Sequence, residues 1–201
     1  MAVVSGGTTL IDNGILDAAV PTGSLTLLST QTASASATIS FTTGLDSTYD
    51  EYIFKFIDIH PATDDVHFQF NFSTNGGSNY NVTKTTTAFR AYHDEADTAT
   101  ILQYQTGDDL AQSTSFQKLS LGGLGNDNDQ STCGYLKLFN PSSTTFVKHF
   151  IARNNIAAQD NFSLEGYVAG YGNTTSAVNA VQFSMSSGNI DSGVIKLYGI
   201  K

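Results

Sequence analysis

The chain has 201 residues, 40% of them apolar with 13 Phe and 9 Tyr, but only 13% charged, for a net charge of −9 and a pI near 4.5. That length suits one domain with its own core, and the acidity disfavours nucleic-acid phosphates and anionic membrane surfaces as partners. No run of about 18 apolar residues is available for a membrane-spanning helix, and Cys133 is the lone cysteine, so no intrachain disulfide forms.

Residues 1–24 read as an extended N-terminal arm. They are Gly/Thr-rich, carry the turn Asp12-Asn13-Gly14, and offer Leu10, Ile11, Ile15 and Leu16 as apolar attachment contacts. The first residues have no basic group and no long apolar stretch, so a secretory leader is not expected. Together with the missing disulfide, this predicts folding in a reducing cytosol. Pro21-Thr22-Gly23 separates the arm from a domain expected over 25–201.

Within that domain the main signal is period-two alternation, which buries one face of a strand and wets the other. Ala35, Ala37, Ile39 and Phe41 alternate with Ser and Thr, and Val66, Phe68, Phe70 and Phe72 alternate with polar residues. Phe162, Leu164, Gly166 and Val168 follow the same rule. Tyr52–Ile59 is apolar in both phases, so it reads as a central strand covered on both sides, or as one whose outer face meets another part of an assembly. Further strands are expected near 25–30, 82–92, 115–121, 133–139, 146–153, 178–185 and 194–200. Residues 93–112 read as a long connection with a short helical turn. About ten strands bounded by Gly, Pro, Asn, Asp and Ser clusters predict an all-β, antiparallel, jelly-roll-like sandwich. Its expected core includes Phe41, Phe54, Phe56, Phe68, Phe70, Leu136, Phe183 and Leu197.

Candidate chemistry is sparse. The four histidines are scattered without zinc spacing, and no nucleotide, metalloprotease or nucleophile motif is present, so a non-enzymatic role is expected. Asn126-Asp127-Asn128-Asp129 follows a Gly-rich stretch. Asp127 and Asp129 are the candidate carboxylates for a calcium ion, against the plainer reading of Asn and Asp as turn formers. No other cofactor is expected. The pairs Asp64/Asp65, Asp94/Glu95 and Asp108/Asp109 are weighed as glycosidase carboxylates and as ordinary loop acids. Tyr92 and Tyr104 are candidate glycan contacts, because an exposed tyrosine ring stacks on sugars; otherwise they seal the ends of the sandwich.

Three stretches carry a resemblance: Glu51-Tyr52-Ile53-Phe54-Lys55-Phe56-Ile57-Asp58-Ile59-His60-Pro61, Tyr92–Thr98, and Ser187–Ile200. Together they resemble short, tail-fibre-like virion structural proteins of tailed bacteriophages, particularly marine and cyanobacterial ones, over residues 25–201. The resemblance implies a β-sandwich in the virion, with other virion proteins as partners, and assigns no site residues. It makes a homo-oligomer, such as a trimer, the expectation. Neither nucleic-acid binding nor membrane insertion is expected. A capsid decoration or cement protein is favoured, because a fibre usually projects on heptads or a β-helical shaft and this chain has neither. The alternative is a tail-fibre or receptor-binding piece whose sandwich binds host-surface carbohydrate.

Overall fold

The computed structural model describes residues 25–201 and, within the first 24, three short strands. These are β1 (Val3–Ser5), β2 (Thr8–Asp12) and β3 (Ile15–Leu16), which pair antiparallel as a small sheet. Their register aligns Val3 with Ile11 and Ile11 with Leu16. The side chains of Leu10, Ile11, Ile15 and Leu16, named above as arm contacts, lie outside the described residues.

Residues 25–201 form twelve strands and, among the described residues, no helix. In chain order they are β4 (Thr26–Ser36), β5 (Ile39–Phe41), β6 (Glu51–Pro61), β7 (Phe68–Ser73), β8 (Lys84–Asp94), β9 (Thr100–Tyr104), β10 (Gln117–Lys118), β11 (Thr132–Phe139), β12 (Lys148–Ala157), β13 (Phe162–Gly172), β14 (Ala180–Met185) and β15 (Ile190–Ile200). The chain is an all-β antiparallel sandwich. An eight-stranded sheet has the order β4-β15-β6-β11-β12-β13-β8-β9, and a four-stranded sheet has the order β10-β7-β14-β5.

Alternation sets the faces. In β12, Lys148, Phe150, Ala152, Asn154 and Ile156 are buried while the residues between them are exposed. The core lies between the two sheets, and all eight core residues expected from the pattern are buried. Phe183 is its hub. Its ring centroid lies 5.2–5.7 Å from those of Phe54, Phe56 and Phe68, and 6.2–6.4 Å from those of Phe41 and Phe70. Most of these pairs are edge-to-face, the arrangement that the ring quadrupole favours. Toward its β9 end, the eight-stranded sheet is covered on its inner face by the segment between β10 and β11. Leu119, Leu121 and Leu124 are buried there, and Leu124 bridges to Val66 and Ala158.

Two expectations are corrected. Residues 93–112 are not a plain connection with a helical turn, because β9 pairs with β8 as a hairpin. Asp94 closes the turn by accepting from the backbone N–H of Thr98 and of Ala99, both at 2.8 Å. The strand expected over 115–121 shrinks to Gln117–Lys118. The buried Ser120 hydroxyl instead accepts from Phe68 N, and the chain turns away to cover the sheet.

Candidate docking face

The outer face of the eight-stranded sheet presents a continuous row of side chains across seven strands. Register pairs Lys196 with Lys55, Lys55 with Tyr135, and Tyr135 with Arg153. It continues from Arg153 to Tyr167, from Tyr167 to Phe89, and from Phe89 to Tyr104. Cross-strand neighbours on one face sit about 5 Å apart, within reach of one another. The Arg153 guanidinium lies 5.2 Å from the Tyr167 ring centroid. The Tyr167 and Phe89 rings stack at 4.7 Å and 8°. The Lys55 ammonium lies 5.4 Å from the Tyr198 ring, and Lys137 lies 6.0 Å from Tyr135. Such contacts contribute about 0.5–1 kcal/mol each at exposed sites.

Tyr167 and Phe89 stand on neighbouring strands with their ring planes parallel, so their faces are turned to each other and their edges to solvent. That is a poor platform for a sugar ring, which stacks on an aromatic face. It suits a flat protein contact, where aromatic residues and Arg are enriched.

Exposure points the same way. Within residues 25–201, nine large apolar side chains are exposed, and six of them lie on this face: Leu27, Ile57, Phe89, Leu102, Tyr104 and Ile151. Scattered exposed apolar residues are ordinary, but a concentration on one face marks an interaction surface. The face also carries Lys55, Lys137, Arg153 and Lys196, four of the nine Lys and Arg residues in an acidic chain. Lys137 pairs with Glu51 at 2.8 Å, and Arg153 pairs with Glu165. Lys55 and Lys196 face each other directly, and among the described residues neither has a carboxylate within bridging distance. Like charges directly opposite destabilise a sheet, so an anionic neighbour would relieve them. A shallow depression of about 420 Å³ opens beside the row over Ala169 and Gly170, flanked by Thr85, Thr87, His149, Ile151 and Tyr171.

The residues singled out from sequence are dispersed. Tyr104 is half exposed on this outer face, and its hydroxyl donates to Asp109 Oδ2 at 2.6 Å. That bond raises the phenol pKa, because Asp109 holds the proton in place. Tyr92 points the other way. It packs on Phe162 at 4.7 Å beneath the sheet, with Arg90 5.4 Å from its ring. The two tyrosines therefore sit on opposite faces of one hairpin and do not converge on one ligand. Asp127 and Asp129 are exposed in a tight turn, closed by the Gln130 N–H donating to Asp127 O at 2.9 Å. Asp129 lines a polar cleft with Asp58, His60 and Asp191, and Asp127 does not. Among the described residues, no three His, Cys, Asp or Glu side chains group closely enough to hold a metal ion. Beside that cleft, Cys133 Sγ donates to Asp58 Oδ1 at 3.2 Å, and burial raises the thiol pKa.

Sequence reasoning missed one buried feature altogether. Lys84 is fully buried, and its ammonium donates to Asn71 Oδ1 at 2.5 Å and to Val82 O at 2.9 Å. Burial without a carboxylate partner pulls its pKa down to about 7. Lys148, aligned with it across Gly172, donates to Phe146 O at 2.6 Å and is shifted down by burial as well. No protein-family model and no curated protein matches the chain.

Proposed function

We propose that this chain is a non-enzymatic structural protein of a tailed-phage virion, displayed on the particle surface as a capsid decoration protein. The outer face of its eight-stranded sheet serves as the assembly surface. That face carries the reading: six exposed apolar side chains and four cations lie on one flat surface of an acidic protein. The strand order supports it. Setting aside the hairpin β8–β9 and the strands β12 and β13, β4-β15-β6-β11 opposes β5-β14-β7-β10, and the chain crosses between sheets in the manner of a jelly roll. Such double sheets recur in viral capsid proteins. A core held by packed phenylalanines rather than by disulfides suits a particle assembled in a host cytoplasm. Other virion proteins and further copies of this chain are the partners.

Copy number in purified virions tests the reading. Decoration of a lattice demands copies in proportion to the lattice, whereas a tail fibre is present in a few sets. A low count, or antibody labelling confined to the tail, overturns the capsid placement. The second reading, a receptor-binding tail piece, rests on the depression beside Ile151 and Tyr171. A glycan array with the purified protein tests it, and binding lost on Tyr171→Ala would promote it.

A further inference from the structure

We infer that two copies of this chain join edge to edge through β4, so that one antiparallel sheet runs through both. The pairing uses the rim of the eight-stranded sheet and not its outer face, so it stands apart from the reading of that face. Among the described residues, β4 is hydrogen-bonded to β15 on one side and to no strand on the other. It is an eleven-residue strand, about 36 Å long, and its free side offers a row of backbone N–H and C=O groups for pairing. Proteins usually blunt such an edge with charged side chains, especially Lys, or with Pro. Thr26–Ser36 contains neither, being built of Leu, Ser, Thr, Gln and Ala. The edge is shaped only near its ends, by the register slip at Leu197/Tyr198 and by the positive φ of Ala35. Between them, Ser29–Ser34 keep an unbroken register with β15.

Comparison with the other edges selects a second β4 as the occupant. The opposite rim of the sheet, β9, has five residues and lies between Asp94, Glu95 and Asp97 on one side and Asp108 and Asp109 on the other. Two copies meeting there would set these carboxylates against each other. β5 and β10, the rims of the four-stranded sheet, have three and two residues. The chain's own N-terminal strands fit no better. β2 is already paired on both sides, and the outer strands β1 and β3 have three and two residues. The stretch leading into β4 contains Pro21 and Gly23, which weaken a strand. Among the described strands, only another β4 that ends a sheet matches this edge in length, and a two-fold axis lets the same edge serve both copies. The charges match as well, since two uncharged edges meet without repulsion although each chain carries −9. Antiparallel pairing over Ser29–Ser34 brings the exposed Thr30 and Thr32 of one copy beside those of the other, and Thr neighbours are favourable across strands.

Light scattering after size exclusion tests this with the full chain. Wild type is expected at twice the 21.4 kDa chain mass. Thr30→Glu with Thr32→Glu, and separately Thr30→Lys with Thr32→Lys, set like charges against each other across the two-fold axis. Each double variant is expected at single-chain mass, with circular dichroism and melting curves verifying that it folds. An equimolar mixture of the two is expected to return to the double mass, because Glu then faces Lys. Amide exchange gives a reading without any variant: on dilution of wild type to single-chain mass, exchange should quicken in Ser29–Ser34, and a rate that does not follow the mass overturns the inference. A wild type that is a monomer or a trimer overturns it, as does a dimer that both variants leave intact. Variants that dissociate but do not recombine with each other overturn it too. If a monomeric wild type dimerises once residues 1–24 are deleted, the chain's own arm is what occupies β4. Copy number in virions bears on where the protein sits and not on this pairing, so the two readings can fail separately.

Discussion

Lys84 makes stability rise with pH, because burial disfavours its charged form. An unfolded lysine keeps its proton up to about pH 10.5, whereas the folded chain releases this one near 7. Between those values the unfolded state binds more protons, so stability rises as pH rises, and the gain is complete only above about 10.5. Below about 7 both states are protonated and the full cost of the buried ammonium is present. Roughly 3.5 units at about 1.4 kcal/mol each sets an upper figure of about 5 kcal/mol, and relaxation around the ammonium reduces it to a few. The perturbation is Lys84→Met, which keeps the volume of the stem and removes the titrating group. Urea midpoints for wild type and variant, taken from pH 6 to pH 10, are the assay. The wild-type curve should climb toward the variant's as pH increases, while Lys148, common to both, cancels in the difference. Parallel curves would refute the reasoning, and so would a wild type that loses stability relative to Lys84→Met over this range.

Three further outcomes follow from named contacts. Phe183→Ala removes the hub of five ring contacts and should cost about 3–5 kcal/mol by urea unfolding; a change under about 1 kcal/mol would contradict the core assignment. Gly134→Ala should destabilise by about 1–3 kcal/mol, because its Cβ would stand 2.2 Å from Arg153 O and 2.5 Å from Asn154 Oδ1; an unchanged melting curve would show that the strands can part there. Asp109→Asn removes the carboxylate that holds the Tyr104 proton, so ultraviolet titration should find one phenol ionising at lower pH than in wild type; coincident titrations would count against that bond.

Much of the sandwich was legible because its strands alternate strictly and the phenylalanines mark the inward phase. β9 was not, because Thr100-Ile101-Leu102-Gln103-Tyr104 is apolar in both phases and lies between acidic clusters that look like loop. The sheet order was also hidden. It depends on pairings between distant segments, such as β4 with β15, whose partners carry no mutual signal in one sequence. For the docking face a signal did exist. Tyr52–Ile59 is apolar in both phases, and in the structure Ile57 is exposed on the outer side of a central strand. What could not be read was that Ile151, Arg153, Tyr167 and Phe89 would share that face, since that needs four registers at once. Lys84 escaped because lysine is almost never fully buried, and only the Val82 carbonyl and the Asn71 amide oxygen that accept from it explain the exception.

The place of β15 between β4 and β6 governs how the molecule can be made. Of the twelve strands in 25–201 it is translated last, yet it fills the gap between the first and the third. Until it emerges from the ribosome, β4 has no sheet partner and β6 shows an open edge beside a row of unburied phenylalanines. Pairings across such long stretches of chain form slowly, and an exposed edge beside apolar residues is the usual start of misassembly. Productive folding of this sheet therefore waits until β15 has been made. Conditions that slow translation or crowd nascent chains should lower the yield of native protein well before they affect protein that has already folded.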